Sequence, residues 1–220
     1  MKIEVVKTFD EQHKQIGTAT REDVHKLGLW HEAFHCWLVE EVAGTAYIYL
    51  QIRSENKKDF PGLLDISAAG HLTADESAAD GVRELKEELG LSVIYDDLVN
   101  LGIFTYNCVR PGFTDREFAH VHLYDLPISW DEFLLPNEEV SGIVKTKYQD
   151  FYDLWLDRVA AIHVEGFMFD AAGKRICIDK MALRNEFAPH DASFYISVLQ
   201  KMEEHLLKKT NERRNFNESV

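Results

Sequence analysis

The chain has 220 residues, a formal net charge of −14 at neutral pH, 45% hydrophobic residues and 28% charged residues. This length fits one large domain with a substantial core, and the strong negative charge argues against broad binding to nucleic acid or to an anionic membrane surface. With no run of about 18 apolar residues, the sequence predicts no membrane-spanning helix. The N-terminus lacks the apolar segment of a secretory signal, and the three cysteines are far apart in the sequence. We therefore expect reduced thiols in a cytoplasmic protein.

The first third of the chain predicts short strands and one short helix. Thr20 is a suitable N-cap and Gly28 a suitable C-terminal stop for that helix. Two segments rich in aromatic and β-branched residues flank Ala43-Gly44, which predicts a hairpin. In chain order, the predicted elements are a strand within residues 1–16, a helix between residues 20 and 28, hairpin strands 33–40 and 45–53, a polar loop 53–62 and a buried strand 63–69.

The next segment, residues 70–91, reads GHLTADESAADGVRELKEELGL. Ser77 followed by Asp80 is a capping pattern and Gly90 is a C-terminal stop, so the pattern predicts a helix between them. An apolar stripe along this helix predicts that one side is buried and that its carboxylates point outward. Gly81 lies within the helix. Either a side chain at Gly81 would obstruct a site, or the glycine is merely tolerated there.

Three glutamates crowd one face of this predicted helix. Glu84, Glu87 and Glu88 stand at i, i+3 and i+4, which are neighbouring positions where like charges destabilise a helix that has no ligand. Oxygen-rich clusters suit Mg²⁺ or Mn²⁺, cations that also bind diphosphate oxygens. The segment therefore predicts metal-assisted pyrophosphate chemistry, in which a carboxylate within hydrogen-bonding reach can deprotonate a water. Glu76, Glu88 and Glu139 all remain candidates for that base.

The rest of the chain alternates between strands and helices, which predicts an α/β or α+β sandwich. The predicted elements are strands 101–109 and 117–124 around the turn RPGFTDR, a strand 139–144, a helix 148–159, a hairpin within 167–178 and an amphipathic helix 192–207. We expect one domain over residues 1–207 and a frayed polar tail over residues 208–220. The last helix could pack on its own domain or on a second copy of the chain, so a homodimer stays open.

The pair of segments GHLTADE and RELKEELGL resembles the signature of the Nudix hydrolases. That signature is a glycine, five residues, a glutamate, seven residues, and then Arg-Glu-aliphatic-x-Glu-Glu-x-Gly-aliphatic. Gly70 and Glu76 have the family's spacing and residues 83–91 match every fixed position, but six residues rather than seven separate Glu76 from Arg83. The resemblance implies an α/β/α sandwich with a mixed sheet, here followed by a C-terminal helical extension.

The resemblance also implies roles for individual residues. Glu84, Glu87, Glu88 and the backbone carbonyl near Gly70 would hold Mg²⁺ or Mn²⁺. Arg83 would orient a carboxylate, and Glu76 would be its partner or a further ligand. Arg53 and Lys57, on the loop before the motif, would bind substrate phosphate or else be simply solvated.

The implied substrate is a phosphorylated small molecule. A nucleoside diphosphate linked to another group, such as a nucleotide sugar or a dinucleotide, comes first, and free nucleoside di- or triphosphates come second. A binding module that kept the motif but lost turnover is an alternative from a different functional class. The substrate is determined by loops outside the motif, so one sequence does not name it.

Several histidines make the chain similar to one branch of the family, the isopentenyl-diphosphate isomerases. Those enzymes hold a metal with three histidines and strand carboxylates, and the matching residues here are His25, His31, His71, Asp115 and Glu117. Of these we place His71 and Glu117 at the substrate site, although histidines beside aromatic residues are often ordinary core residues. The isomerase has a catalytic cysteine where this chain has Ala69, and its own motif is degenerate. We therefore expect hydrolysis, with isomerisation as the alternative.

Overall fold

The computed structural model describes residues 3–125, 127–136, 138–170 and 172–217. Within these ranges there are eleven strands and four α-helices. The strands are β1 Val5–Phe9, β2 Gln15–Thr20, β3 Trp30–Val42, β4 Thr45–Arg53, β5 Leu64–Asp65, β6 Ala68–His71, β7 Val99–Arg110, β8 Phe113–Asp125, β9 Val140–Lys147, β10 Ala161–Phe169 and β11 Arg175–Leu183. The helices are α1 Arg21–Leu27, α2 Arg83–Leu89, α3 Tyr148–Trp155 and α4 Ala192–Asn217.

All eleven strands belong to one mixed sheet organised around β3. The main strand order is β11-β10-β9-β4-β3-β1-β2, with β5 on β4, β6 and β8 on β3, and β7 on β8. The pairing of β3 with β8 is parallel, whereas β3 pairs antiparallel with β4 and β6. The strand β3 pairs with β8 over residues 30–39, with β6 over residues 33–36 and with β4 over residues 39–42. The elements that carry most of the candidate site residues therefore meet at β3.

Two hydrophobic clusters cover the two faces of the sheet. Successive side chains of a strand point to opposite faces, so β3 sends Phe34 into one cluster and Trp37 into the other. The cluster with Phe34 contains Leu85 and Leu89 of α2, and the cluster with Trp37 contains residues of α3 and α4. Helices thus cover both faces, which confirms the predicted α/β/α sandwich with a mixed sheet. None of the described helices is long and apolar enough to cross a membrane.

The local signals around the first helix and the first hairpin are confirmed. Thr20 caps α1, because its side chain accepts a hydrogen bond from the backbone N–H of Asp23, and Gly28 ends the helix in a left-handed conformation. Ala43 and Gly44 join β3 to β4 with positive φ angles of 49° and 79°. Strand β2 was not predicted, because its sequence, QIGTAT, is short and partly polar.

The helix that carries the glutamates is shorter than the sequence predicts. The α-helix begins at Arg83 and is preceded by a 3₁₀ turn over Asp80–Val82, while Gly90 ends it as expected. Ser77 and Asp80 do interact, with Ser77 N–H donating to Asp80 Oδ2 at 2.9 Å, but they close a turn before the helix. The single strand predicted over 63–69 is instead two short strands, β5 and β6.

Gly81 lies against the core and not beside the glutamates. A β-carbon built at this position would lie 2.5 Å from the side chain of Phe34 on β3. The interpretation that a side chain there would obstruct the site is therefore wrong. The reason is that α2 approaches β3 closely at this turn, which leaves no room for a methyl group.

The C-terminal helix runs beyond the predicted boundary at residue 207. It continues to Asn217, so most of the segment expected to be a frayed tail is helical, while residues 218–220 lie outside the described residues. Its first half packs into the core through Phe194, Val198 and Met202. Farther along, Lys208 and Glu212 form an i,i+4 ion pair at 4.0 Å, a spacing that favours helix in a polar sequence. The domain division at residue 207 stays a prediction.

Candidate active site

Two of the three helix glutamates are buried. Glu84 and Glu88 are 8% and 3% exposed, whereas Glu87 is exposed. Gln51 Nε2 donates to Glu88 Oε2 at 3.2 Å, and the backbone N–H of Ala69 donates to the same oxygen at 3.0 Å. The prediction of outward carboxylates is wrong for Glu84 and Glu88, because β6 and β4 cover this face of the helix.

Burial changes the ionisation of both carboxyl groups. Burial raises the pKa of Glu84 to about 7, although the positive charge of Arg83 opposes this rise. Burial and the negative charge of Glu84 together raise the pKa of Glu88 to about 8. Two carboxyl groups that are buried side by side are stabilised as anions by a cation between them. Carboxylate oxygens are the donors that Mg²⁺ and Mn²⁺ prefer. The residues present therefore fit the divalent metal that the motif implies.

Arg83 fastens the helix to the preceding loop. Its Nε lies 2.5 Å from Glu76 Oε1 and its Nη2 3.0 Å from Glu76 Oε2, a bidentate pair. The same guanidinium donates to Glu84 Oε1 at 2.6 Å and to the carbonyl of His71 at 3.1 Å. The implied pairing of Arg83 with Glu76 is thus present despite the spacing that is one residue short. This arrangement fixes the position of Glu84.

The two basic residues expected to bind phosphate differ in their surroundings. Lys57 forms an ion pair with Glu139. Its positive charge also opposes the rise that burial causes in the pKa of Glu88. Arg53, in contrast, donates to Asp65 Oδ2 at 2.8 Å and to the carbonyl of Asp59 at 2.7 Å. The structure therefore places Lys57 near the glutamates, whereas Arg53 joins its own loop to Asp65 on β5.

A second group of side chains comes from α1, β3, β6 and β8. One ligand atom from each of His25, His31, His71 and Asp115 lies within 4.8 Å of the others. Nε2 of His25 and Nε2 of His31 lie 3.4 Å and 3.5 Å from Asp115 Oδ1. The structure thus brings together the histidines and the carboxylate that the resemblance to the isomerases matched. We call this group the histidine cluster.

The histidine cluster has the properties of a cation site. His31 Nδ1 lies 3.1 Å from the carbonyl of Leu29, so the ring proton belongs on Nδ1 and Nε2 keeps its lone pair. Burial lowers the pKa of His31 to about 4, which keeps the ring neutral. Among the described residues, His31 Nε2 and Asp115 Oδ1 have no hydrogen-bond partner. A buried nitrogen lone pair that lies 3.5 Å from a carboxylate oxygen fits a metal ion.

Glu117 adjoins the histidine cluster on the same face of β8. It lies 3.1 Å from His35 Nε2, and its other oxygen is 3.9 Å from His71 Nε2. Burial, with the negative charge of Asp115, raises the pKa of Glu117 well above its ordinary value. Across the β7–β8 pairing, Cys108 stands opposite Asp115 and is itself buried. The predicted residues His71 and Glu117 therefore lie together, with a thiol nearby.

The strand β6 joins the two groups. Ala69 donates its N–H to Glu88, Gly70 abuts Glu84, and His71 belongs to the histidine cluster. Sequence reasoning missed two contributors to this arrangement. Gln51 is a polar residue within the apolar strand TAYIYLQIR, a signal that could have identified it. Glu4 lies 3.1 Å from His71 Nδ1, and nothing in the sequence around it indicates that contact.

Comparisons with known proteins agree with this geometry. The NUDIX domain family model matches residues 29–165. A Nudix hydrolase of Clostridium acetobutylicum is 34% identical over 202 residues, covering 92% of this chain and 98% of that protein. An isopentenyl-diphosphate Δ-isomerase of Aliivibrio fischeri strain MJ11 is 32% identical over 143 residues, covering 64% of this chain and 78% of the isomerase.

A solved structure shares the fold. The crystal structure of a Deinococcus radiodurans protein aligns with a TM-score of 0.53 at 18% identity, and the match covers 68% of this chain and 86% of that one. The shared fold, the sequence motif and the family match over more than half of the chain all indicate the same protein family. The chain belongs to the Nudix family, and its similarity to named Nudix hydrolases identifies it as a Nudix pyrophosphohydrolase.

Proposed function

We propose that this Nudix hydrolase is metal-dependent and acts on a nucleoside diphosphate linked to another group, such as a nucleotide sugar or a dinucleotide. Free nucleoside di- and triphosphates form the second substrate class. The observation that carries the proposal is the buried pair Glu84 and Glu88, which β6 covers and Arg83 flanks. Such a pair is unfavourable without a cation and favourable with one.

The ligands for the metal would be Glu84, Glu87, Glu88 and the backbone carbonyl of Gly70. Mg²⁺ or Mn²⁺ held there would neutralise phosphoryl oxygens and make a bound water more acidic. The protein supplies the positions of the ligands. Arg83 holds Glu84 on one side, and both hydrogen bonds to Glu88 converge on Oε2.

Substrate phosphate would meet Lys57, the basic residue beside Glu88. The ion pair of Lys57 with Glu139 keeps the ammonium group at this end of the site. Glu139 also remains a candidate base, together with Glu76 and Glu88. Glu76 is the poorest of these candidates, because Arg83 binds both of its oxygens.

Isomerisation of an allylic diphosphate is the second candidate, and the histidine cluster is the observation that favours it. An isomerase must add a proton to one carbon and remove one from another, which requires a matched acid and base. Ala69 supplies neither. A thiol at Cys108 and a carboxyl group at Glu117 lie on the facing strands β7 and β8, so the alternative would use a different acid from the one that the resemblance implies.

A substrate screen tests these proposals. Purified protein with Mg²⁺ is incubated with nucleotide sugars, dinucleotides and free nucleotides, and the products are separated by chromatography. A parallel sample with isopentenyl diphosphate is followed by NMR for migration of the double bond. We expect cleavage of a nucleotide derivative by the wild type and by Glu204→Gln, an exposed position on α4, and loss of cleavage in Glu84→Gln.

Each other outcome contradicts the proposal in a distinct way. Double-bond migration without nucleotide cleavage, lost in Cys108→Ser, would establish the isomerase. Saturable nucleotide binding without turnover of any compound would establish a binding module. Full cleavage by Glu84→Gln would separate the activity from the buried glutamates.

A further inference from the structure

Another group of potential metal ligands lies apart from the residues described above. His13 in the β1–β2 turn, Glu32 on β3 and His120 on β8 each offer one ligand atom, and these atoms lie within 4.8 Å of one another. His13 Nε2 and His120 Nε2 both lie 2.9 Å from the same oxygen, Glu32 Oε1. Two imidazoles and one carboxylate from three separate elements thus converge on one point. We call this group the turn cluster.

The turn cluster is on the opposite face of β3 from the histidine cluster. Glu32 directly follows His31 in the strand, and neighbouring side chains of a strand point to opposite faces. The same alternation separates His120 from Glu117 on β8. The two residues are three positions apart, and an odd separation along a strand places side chains on opposite faces. An ion at the turn cluster would therefore be separate from one held by His31 and Asp115.

The position of the His13 ring is set before any ligand binds. His13 has a φ of 61°, a left-handed conformation that is uncommon for a residue with a β-carbon. Its N–H donates to the carbonyl of Asp10 at 3.0 Å, which closes the turn. The ring stacks on Phe118, with a centroid separation of 4.1 Å and an interplanar angle of 25°. A strained residue that its neighbours hold in place is typical of a functional position.

An ion can reach the turn cluster from solvent. The side chains of His13, Glu32 and His120 are 28%, 15% and 17% exposed. Partial exposure leaves room for entry and for a water in an open coordination position. Two imidazoles with one carboxylate form a ligand set that suits Zn²⁺ and neighbouring transition metals, whereas Mg²⁺ prefers oxygen ligands alone.

We propose that His13, Glu32 and His120 bind a divalent transition-metal ion, with Zn²⁺ as the expected occupant. Binding requires each neutral ring to carry its proton on Nδ1, so that Nε2 offers its lone pair. The ion replaces the shared contacts with Glu32 and fastens the β1–β2 turn to the sheet. The site is independent of the proposed hydrolysis.

Zinc stoichiometry tests this site without reference to activity. Chelator-treated full-length protein is dialysed against Zn²⁺ in the presence of excess Mg²⁺, and bound zinc is measured for the wild type, His120→Asn and Glu32→Gln. His163→Asn is the matched control, because His163 is half exposed on β10 and belongs to neither cluster. We expect both variants of the turn cluster to bind one equivalent fewer than the wild type and the control do. Their affinity for that equivalent should fall by more than about 100-fold, beyond the loss typical of outer-shell partners.

Hydrogen exchange supplies a second readout. Zn²⁺ should slow amide exchange in residues 10–17 of the wild type and of His163→Asn, and leave exchange unchanged in Glu32→Gln. Circular dichroism of the metal-free variants checks folding, and Glu32→Gln, which nearly keeps the side chain's shape, carries the test if His120→Asn is unfolded. Equal stoichiometry and affinity in the wild type and Glu32→Gln would overturn the proposal. Zinc binding that does not slow amide exchange in residues 10–17 would contradict the proposal that the ion holds the β1–β2 turn to the sheet.

Discussion

Gly70 and the carboxylate of Glu84 are in direct contact. A β-carbon built on Gly70 would lie 2.1 Å from Glu84 Oε1 and 2.3 Å from Glu84 Cδ. Real β-carbons do not approach other heavy atoms this closely, so any side chain at position 70 displaces the carboxylate. Position 70 of this chain therefore needs glycine to leave space for the Glu84 carboxylate.

Gly70→Ala should reduce pyrophosphate hydrolysis by about 100-fold, because a misplacement of about 1 Å has that effect on catalysis. The fold should persist, since the clash is with a side chain that can move. Rates of product release and denaturation curves measure the two effects. Gly17→Ala is the matched control, because its new methyl group meets only Thr8 Oγ1, at 3.4 Å. A wild-type rate in Gly70→Ala would refute the importance of this contact.

Gly81→Ala should have the opposite profile. Its methyl group would lie 2.5 Å from Phe34 in the core, so the free energy of unfolding should fall by about 1–3 kcal/mol, the usual cost of overpacking. The rate per folded molecule should stay close to that of the wild type. Urea denaturation measures the first quantity, and assays well below the unfolding transition measure the second. A large loss of rate with unchanged stability would show that Gly81 serves the site after all.

Arg83→Lys should weaken metal binding without removing the positive charge. A lysine cannot reproduce the bidentate pair with Glu76 and the contact with Glu84 at once. Because Arg83 orients the proposed metal ligand Glu84 without binding the metal itself, the substitution should raise the Mg²⁺ concentration needed for half-maximal rate by about 10–100-fold. Arg158→Lys, on an exposed pair with Asp153, is the matched control. Identical Mg²⁺ dependence in Arg83→Lys and in the wild type would contradict this role.

Asp65→Asn should lower stability in a pH-dependent way. Asp65 is buried, which by itself would raise its pKa, but hydrogen bonds from His190 at 2.9 Å and Arg53 at 2.8 Å hold the pKa well below its ordinary value. The folded state therefore binds this proton less readily than the unfolded state does. The resulting stabilisation is fully present above the unfolded pKa of about 4 and is lost as the pH falls toward the folded pKa.

At neutral pH the variant should lose about 3–5 kcal/mol of unfolding free energy, the range for a broken buried ion pair. The difference from the wild type should shrink below about pH 4. Urea denaturation over a pH series measures it, with Asp179→Asn, on an exposed strand position, as the control. A difference that grows as the pH falls would have the wrong sign for this explanation.

The sequence predicted the fold well because its signals are local. Caps at Thr20 and Gly90 and the turn at Ala43-Gly44 act within a few residues, and the structure has all three. The burial of Glu88 was not predictable in this way. It depends on β6 passing over α2, with the N–H of Ala69 reaching a residue 19 positions later. The same limit applies to Arg53, whose partner Asp65 belongs to another strand.

The two clusters of histidines show this limit most clearly. Resemblance to the isomerases identified the residues of the histidine cluster, but their convergence depends on four elements meeting around β3. The turn cluster had no such guide, since His13, Glu32 and His120 are far apart in the sequence and match no pattern. Only the register of β3 with β8 brings Glu32 and His120 together.

The dependence of hydrolysis on Mg²⁺ in Glu88→Gln tests the central claim most directly. The substituted amide keeps the shape of the side chain but removes the buried charge that would bind the metal. Initial rates are measured over a range of Mg²⁺ concentrations for the wild type, Glu88→Gln and the exposed control Glu204→Gln. We predict that Glu204→Gln matches the wild type and that Glu88→Gln loses at least about 100-fold in rate at every concentration, the scale of removing one preorganised electrostatic contact. A wild-type rate and a wild-type Mg²⁺ dependence in Glu88→Gln would contradict the assignment of the buried glutamates as the metal site.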